Sequence, residues 1–431
     1  MLRFALSPRG DMHIGNLRVA LFNYIFSVQK NEGLIIRIED TDKASNVEGK
    51  DNEIIGLLDL FGIKYQDVVY QSNNLKYHRA MALQLLHEKI AFNCFCKPAL
   101  LEAKMKRAKI DNTPYYYDDA CLSLTPEQTI DNESEFTVRL RKPNVDVEFT
   151  DLIKGKMTFT LNDMDSFVIL NADKSPTYNF ACAVDDMISD ISMVIREEKH
   201  LADTPKQIAV RAALNYTKET TYAHLPTLLN ASGKEMGEED ANSVKQLLED
   251  GFLPEAIINY LLLIGNTPPQ EIFSLQEAVE FLDLSKVSKE EVTFNLEELR
   301  RINRTHLKNL DDVELSRYVG FADGDIGKLA KIYLDEVSTT KELKVKIGAI
   351  FSEKTVSKDV AEAAAKMKAV IIKAPFFKEF DAFSAHIKKE SGIEGADFLK
   401  SLRLLLSGVE QGPDLAEMYP FIKNYMTEIV K

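Results

Sequence analysis

The chain has 431 residues, of which 45% are hydrophobic and 28% charged, and its formal net charge is -14. That length and apolar content allow a substantial core divided among two to four domains. The acidic balance argues against indiscriminate attraction to nucleic acid or to a membrane surface, and leaves room only for a nucleic acid held on one local basic face. No basic-then-apolar leader and no apolar run of spanning length is present, so the expected location is the cytoplasm, with no membrane partner.

Taken in order, the opening residues read as strand, turn and helix. Leu2 to Leu6 is short and apolar, "SPRGD" is turn chemistry, and Leu17, Leu21, Tyr24, Ile25 and Val28 recur at helical spacing. "GLIIRIEDTD", from Gly33 to Asp42, then reads as a buried strand ending in acid. This order points to a parallel α/β sheet whose ligands sit at the carboxyl ends of the strands, where residues 7–16 and 39–42 fall. From about Leu75 to Thr177 the pattern is interrupted by cysteines, by "YYYDD" and by alternating segments such as "EFTVRLRKP". "SPTYNFACAVDDMISDISMVIREEKH" restores strand and helix character, as though the sheet resumes after an insertion. Beyond Leu247 the periodicity is overwhelmingly helical, as in "LPEAIINYLLLIG" and "NLEELRRINRTHLKNL", with a break at Leu310 to Asp312.

Three places carry chemistry on their residues alone. In "SPRGDMHIGN", two glycines lead into a helix whose first N–H groups and dipole suit an anion, and His13 can donate to a phosphate oxygen. The plainer alternative is that Gly10 and Gly15 serve close packing and His13 is an ordinary surface residue. Cys94, Cys96 and Cys121 are too few for a disulfide scaffold and raise the question of a metal. Lys97, Lys104, Lys106, Arg107 and Lys109 form a basic cluster, either a solvated helix face or a nucleic-acid contact.

The segments "FALSPRGDMHIGNLR", "LIIRIEDTD", "YNFACAVDD", "VIR", "TPKQ", "YAHLPTLLN" and "GFLPEAIINYLLLIG", together with "LRLLLSGVEQGPDLAEMYPFI" near the end, closely resemble bacterial glutamyl-tRNA synthetase, a class I aminoacyl-tRNA synthetase. The resemblance runs in order from residue 1 to about 310 and resumes near the end of the chain. It implies an α/β fold: a Rossmann-type parallel sheet catalytic domain with an inserted acceptor-binding domain, followed by all-α stem-contact and anticodon-binding domains. The implied division is 1–76 and 178–230 for the catalytic halves, 77–177 for the insertion, 231–310 for the stem-contact domain and 311–431 for the anticodon domain. The implied reaction joins L-glutamate to tRNA(Glu), with tRNA(Gln) an open second substrate, through a glutamyl-adenylate made from ATP with magnesium. Monomers are common in that family, so a monomer is the expected state.

Residue by residue, the resemblance assigns His13 and Asn16 to catalysis, and Ser7, Gly10, His13, Gly15, Asn16 and Met236 to ATP. It assigns Arg3, Ser7, Glu39, Tyr178 and Arg196 to glutamate, with the two arginines on carboxylates and Glu39 on the ammonium. A structural ion pair between Arg196 and Glu39 is the competing reading. Cys94, Cys96, Tyr117 and Cys121 match the ligand spacing of zinc-binding relatives, although a histidine some of them place after the last cysteine is Ser123 here.

The chain also departs from the family on the nucleotide side. The lysine-rich "KMSKR" loop, whose cations stabilise the triphosphate, is replaced by Glu235, Met236, Gly237, Glu238 and Glu239. The "SPTG" threonine is Arg9, and "RGED" is "REEK", with Glu197 and Lys199 at the changed positions. The expectation is that Arg9 and Lys199 pair with some of Glu235, Glu238 and Glu239. A working ligase, a synthetase-like paralogue or altered variant with lost or reduced ATP activation, and a binding module are the three readings. The intact glutamate set favours the first two over the third, the changes on the nucleotide side weigh toward the second, and the ligase is adopted because fold, segment order and amino-acid pocket agree.

Overall fold

The structure, a computed structural model, describes residues 1–236, 243–356 and 360–430. β1 (Leu2–Leu6), α1 (Ile14–Gln29) and β2 (Leu34–Ile38) form where the periodicity places them, but β2 stops at Ile38. Glu39 to Asp42 therefore lie just past a strand end instead of inside it. α2 (Lys50–Leu60) leads to β3 (Asp67–Tyr70), which runs parallel to β2. β2 is buried along its whole length because an aliphatic run covered on both faces is the pattern of an inner parallel strand.

α3 (Leu75–His87) opens the expected insertion, which then divides in two. β4 (Ala91–Cys94) precedes α4 (Pro98–Ile110) and the short α5 (Pro126–Ile130), and β5 (Thr137–Leu140) follows them. β6 (Val147–Asp151) and β7 (Gly155–Phe159) form a hairpin, and β8 (Val168–Leu170) closes the segment. β4, β5 and β8 make their own antiparallel sheet. The β6–β7 hairpin instead extends the central sheet.

α6 (Tyr178–Ile188), β9 (Met193–Glu197), α7 (Thr204–Ala213) and β10 (Thr221–Leu225) complete the α/β layer. The central sheet has seven strands in the order β3-β2-β1-β9-β10-β6-β7, parallel except for β6 against β7. Tyr222 of β10 lies opposite Asp151 of β6, so the insertion carries a buried carboxylate into the central sheet. A core of Leu85, Val138, Ile169, Phe180, Val184 and Val210 fuses the small sheet to α3, α6 and α7. The insertion is thus partly continuous with the sheet it interrupts.

β11 (Leu228–Leu229), α8 (Val244–Glu249), α9 (Pro254–Leu263), α10 (Leu275–Phe281), β12 (Val292–Thr293) and α11 (Leu296–Asn309) follow. The chain divides into two compact units, Met1–Val244 with Leu261–Phe294, and Lys245–Tyr260 with Asn295–Lys431. The units do not part at residue 310, because 231–310 is shared between them. β12 pairs with β11, and Gln29 of α1 donates to the carbonyls of Val279 and Leu282 at 2.8 and 2.9 Å, which holds 261–294 in the first unit. Asn303 of α11 accepts from the Leu253 amide (2.8 Å) and donates to the Ser338 carbonyl (2.6 Å), which ties α11 into the second unit.

The second unit is helical from α12 (Asp312–Tyr318) and α13 (Gly324–Tyr333) onward. Several of its helices start on side-chain caps, as at Asp311 and Asp323. α12 and α13 approach so closely that a Cβ on Gly327 would lie 1.7 Å from the Asp312 carbonyl oxygen. Leu315, Ile326, Leu329, Leu343, Met367, Leu402 and Met418 are buried in its core. Among the described residues no helix is long and apolar enough to cross a membrane.

Candidate active site

Within the first unit, at and beyond the carboxyl ends of β1, β2 and β9, lies a cavity of about 500 Å³. Arg3, Ser7, Glu39, Tyr178, Arg196, His13 and Asn16 all line it, with Arg9, Arg37, Glu197, Lys199, His200 and Asp203. Gly10, Gly15 and Met236 do not line it.

His13 is the N-cap of α1. Its Nδ1 accepts from the amides of Gly15 (3.1 Å) and Asn16 (3.4 Å), while Asn16 Oδ1 accepts from the His13 amide (3.3 Å). Two of the first-turn amides expected to face an anion are therefore taken by the imidazole. Because Nδ1 is an acceptor, the neutral ring carries its proton on Nε2, the tautomer able to donate to a phosphate oxygen. Gly15 is required by crowding, since a Cβ there would lie 2.8 Å from Glu197 Oε1 and 2.9 Å from the His13 ring.

The deep end is built on buried charge. Arg3 Nε donates to Asp186 Oδ1 (3.3 Å), and Arg37 reaches the same oxygen at 2.5 Å and Glu39 Oε1 at 3.2 Å. Burial raises the Asp186 carboxyl, but Arg3 and Arg37 pull it down to about 2. Burial lowers the Arg3 pKa, with Asp186 opposing, and a guanidinium stays protonated regardless. The Cys182 thiol also donates to Glu39 Oε1 (3.2 Å), and burial pushes that thiol's pKa well up.

Arg196 differs in having neutral partners. Its Nε donates to His224 Nε2 (3.1 Å), Nη1 to Gln207 Oε1 (3.0 Å) and Nη2 to Thr204 Oγ1 (2.8 Å). The ion pair with Glu39 is absent from the ion pairs of the described residues, and Glu39 is gripped by Arg37 instead. Arginine can only donate, so His224 Nε2 holds a lone pair and its Nδ1–H donates to Asp151 Oδ2 at 2.6 Å. Burial lowers the His224 pKa, with Asp151 opposing. Asp151 also accepts from the amides of His224, Ile153 and Lys154, which together with His224 hold its pKa below the usual range despite burial. The result is an Asp151–His224–Arg196 chain aimed at the cavity.

Arg37, Asp186, Asp151, His224 and Gln207 are absent from the sequence expectations. A signal existed for Arg37, because a lone cation inside an aliphatic strand needs a buried acid. No local pattern joins Asp151 to His224, since the two meet only when β6 pairs with β10. Tyr178 hydrogen-bonds His200 Nδ1 (3.2 Å), which also reaches Asp203 (3.2 Å), so a short polar series lines the cavity.

The outer end is more exposed. Arg9 pairs with Asp42, an acid of the "RIEDTD" segment, at 3.4 Å, both about half exposed, and no pair with Glu235 is among the ion pairs of the described residues. Lys199 behaves as expected toward the loop: it pairs with Glu197 at 2.7 Å and with Glu235 at 3.5 Å. Gly237, Glu238 and Glu239 lie outside the described residues. Both flanks of that segment are anchored: the Met236 amide donates to the Leu228 carbonyl (3.0 Å), and the Val244 amide to the Met12 carbonyl (2.9 Å).

The comparisons with known proteins fit this cavity. Residues 1–301 match the family of class I tRNA synthetases (E and Q), catalytic domain. The chain is 58% identical over 432 residues to glutamate–tRNA ligase 2 of Sulfurimonas denitrificans, covering all of both chains. It is 49% identical, again over the full length of both, to glutamate–tRNA ligase 1 of Nitratiruptor sp.. The chain belongs to the class I glutamyl- and glutaminyl-tRNA synthetases. A crystal structure of a glutamate tRNA ligase from Elizabethkingia meningosepticum, in complex with its amino acid, has the same fold, with a TM-score of 0.82 at 23% identity over 100% of this chain and 98% of that one.

In this synthetase the cysteines converge. Cys94, Cys96 and Cys121 have sulfurs within 4.8 Å of one another, and Cys96 and Cys121 are 3.6 Å apart. The Tyr117 hydroxyl is 3.4 Å from the Cys94 sulfur and 3.5 Å from that of Cys96. A tetrahedral metal with thiolate bonds near 2.3 Å places sulfurs about 3.8 Å apart, so the donor set fits zinc. Burial raises both thiols; Tyr117 and Arg139 bring Cys94 down to about 7, while burial with Cys121 and Cys94 nearby pushes Cys96 up to about 11. On α4 the basic cluster is exposed and partly paired, Lys104 with Asp118 (2.6 Å), Arg107 with Asp111 (2.9 Å) and Lys106 with Glu102 (3.9 Å). That favours the solvated-face reading.

Proposed function

We propose that this synthetase joins L-glutamate to tRNA(Glu) in the cytoplasm as a monomer, through a glutamyl-adenylate formed from ATP and magnesium. The reading is carried by one observation: a single cavity holds a guanidinium with neutral partners (Arg196), a carboxylate just past the end of β2 (Glu39) and the histidine cap of α1. Arg3 and Arg196 receive the two substrate carboxylates, Glu39 the ammonium, and Ser7 and Tyr178 supply hydrogen bonds. His13 donates from Nε2 to the α-phosphate as charge builds there, and Asn16 keeps that ring in place through the cap. No protein nucleophile is needed, since the glutamate carboxylate itself attacks phosphorus and pyrophosphate leaves.

Residues 77–177 receive the tRNA acceptor end, 231–310 contact its stem and 311–431 its anticodon. Cys94, Cys96, Tyr117 and Cys121 hold a structural zinc in the acceptor-binding segment. Metal analysis of purified protein returns about one zinc per chain, and Cys96→Ser abolishes it while lowering Tm.

Charging with radiolabelled glutamate, with tRNA(Glu) and tRNA(Gln) transcripts side by side, tests the function. Glutamylation of tRNA(Glu) is expected. Retained tRNA binding without charging would instead favour a synthetase-like chain that has lost activation.

A further inference from the structure

The outer end of the cavity presents an electrostatic problem for any triphosphate. The amides of Gly15 and Asn16 are spent on the His13 ring, and the Glu197 carboxylate lies against Gly15 at the start of α1. Glu235 adds a second acid nearby through Lys199. A polyphosphate entering between these groups meets negative charge where it needs positive charge.

The cations that line the cavity are not equally available. Arg3 and Arg37 are buried on Asp186, and Arg196 is fixed by three hydrogen bonds at the deep end. Arg9 is paired with Asp42 at 3.4 Å, both about half exposed, and is a second releasable cation at this end. Lys199 is the one lysine among the described residues that line the cavity. Its side chain is 38% exposed and its ammonium is shared between Glu197 and Glu235, while the neighbouring Glu198 is already paired with Lys154 at 2.6 Å. Partly exposed pairs of this kind are weak, and a phosphate oxygen can replace one carboxylate at little cost.

We propose that Lys199 is a phosphate-contacting cation of this synthetase: on ATP binding its ammonium leaves Glu235 for the triphosphate, with Glu197 retaining and aiming it. The side chain thus supplies positive charge where the sequence has Glu235 in place of the family's lysine. This rests on the proposed ligase function. No covalent step involves Lys199, which only moves between anionic partners.

The test uses full-length protein and two readouts, equilibrium dialysis with labelled ATP and magnesium, and pyrophosphate exchange with glutamate and tRNA present. Lys199→Ala is expected to lower kcat/KM for ATP roughly 100-fold and weaken ATP binding, with KM for glutamate changed less than about twofold. Lys199→Arg should retain most of the activity. Glu235→Gln, which releases the ammonium, should move ATP binding the opposite way, tightening it about threefold. ATP affinity unchanged or improved in Lys199→Ala overturns the proposal, because the lysine would then be a plug. Absence of exchange in the wild type sinks the ligase reading alone, and dialysis still decides the role of Lys199.

Discussion

The two ends of the cavity solve the problem of holding charge in different ways. At the deep end, Arg3, Arg37, Arg196 and Asp186 are buried, and each cation has its position fixed by hydrogen bonds. At the outer end, Arg9 is about half exposed and held by one carboxylate, and Lys199 is partly exposed and shared between two. Buried groups lose no further solvation or rotamer freedom when a ligand arrives, so the deep end is suited to choosing a small diacid. The outer end is suited to a large, mobile polyanion that must also leave.

The contrast is broken most severely at Asp186. Asp186→Asn leaves Arg3 and Arg37 short of their shared carboxylate and should cost about 3–5 kcal/mol, read as a lowered urea midpoint. The same carboxyl sets an acid limit. Its folded pKa of about 2 lies below the unfolded value near 3.9, so it contributes stability on the order of a few kcal/mol that is fully present above the unfolded value and is lost as pH falls through about 2. A wild-type urea midpoint that falls no faster with acid than that of Asp186→Asn would contradict the assignment.

Arg196→Lys keeps the charge but loses the planar fork. We expect kcat/KM for glutamate to fall on the order of 100-fold with the affinity for ATP little changed, which separates the two ends kinetically. Asp151→Asn acts one step further back, by allowing the His224 ring to flip its tautomer and drop the Arg196 Nε bond. A rise of about tenfold in KM for glutamate is expected, with circular dichroism unchanged. Lys106→Ala on the exposed face of α4 should be the smallest effect, within about 0.5 kcal/mol in stability. Should it abolish charging while leaving exchange intact, the basic face touches tRNA after all.

Much of this was legible in order along the chain. β1, α1 and β2 follow from their periodicity, and Arg3, Ser7, Glu39, Tyr178 and Arg196 converge on one cavity as the motifs imply. What escaped lies in long-range pairings. The β6–β7 hairpin reads as part of an insertion because nothing in "VEFTD" marks it as a neighbour of "TYAHL", yet that pairing delivers Asp151 to His224. Similarly, the break at Leu310 is real as the end of α11, but packing of α10 on α1 and of Asn303 on Ser338 decides where the units divide. The expectation of outward-facing amides at α1 overlooked that a histidine in the N-cap position can consume them itself.

Amino-acid-dependent pyrophosphate exchange in the presence of tRNA tests the central claim most directly. Exchange with glutamate but not with glutamine or aspartate is the predicted result. Equal exchange with glutamine, or none with any amino acid despite bound tRNA, would contradict it.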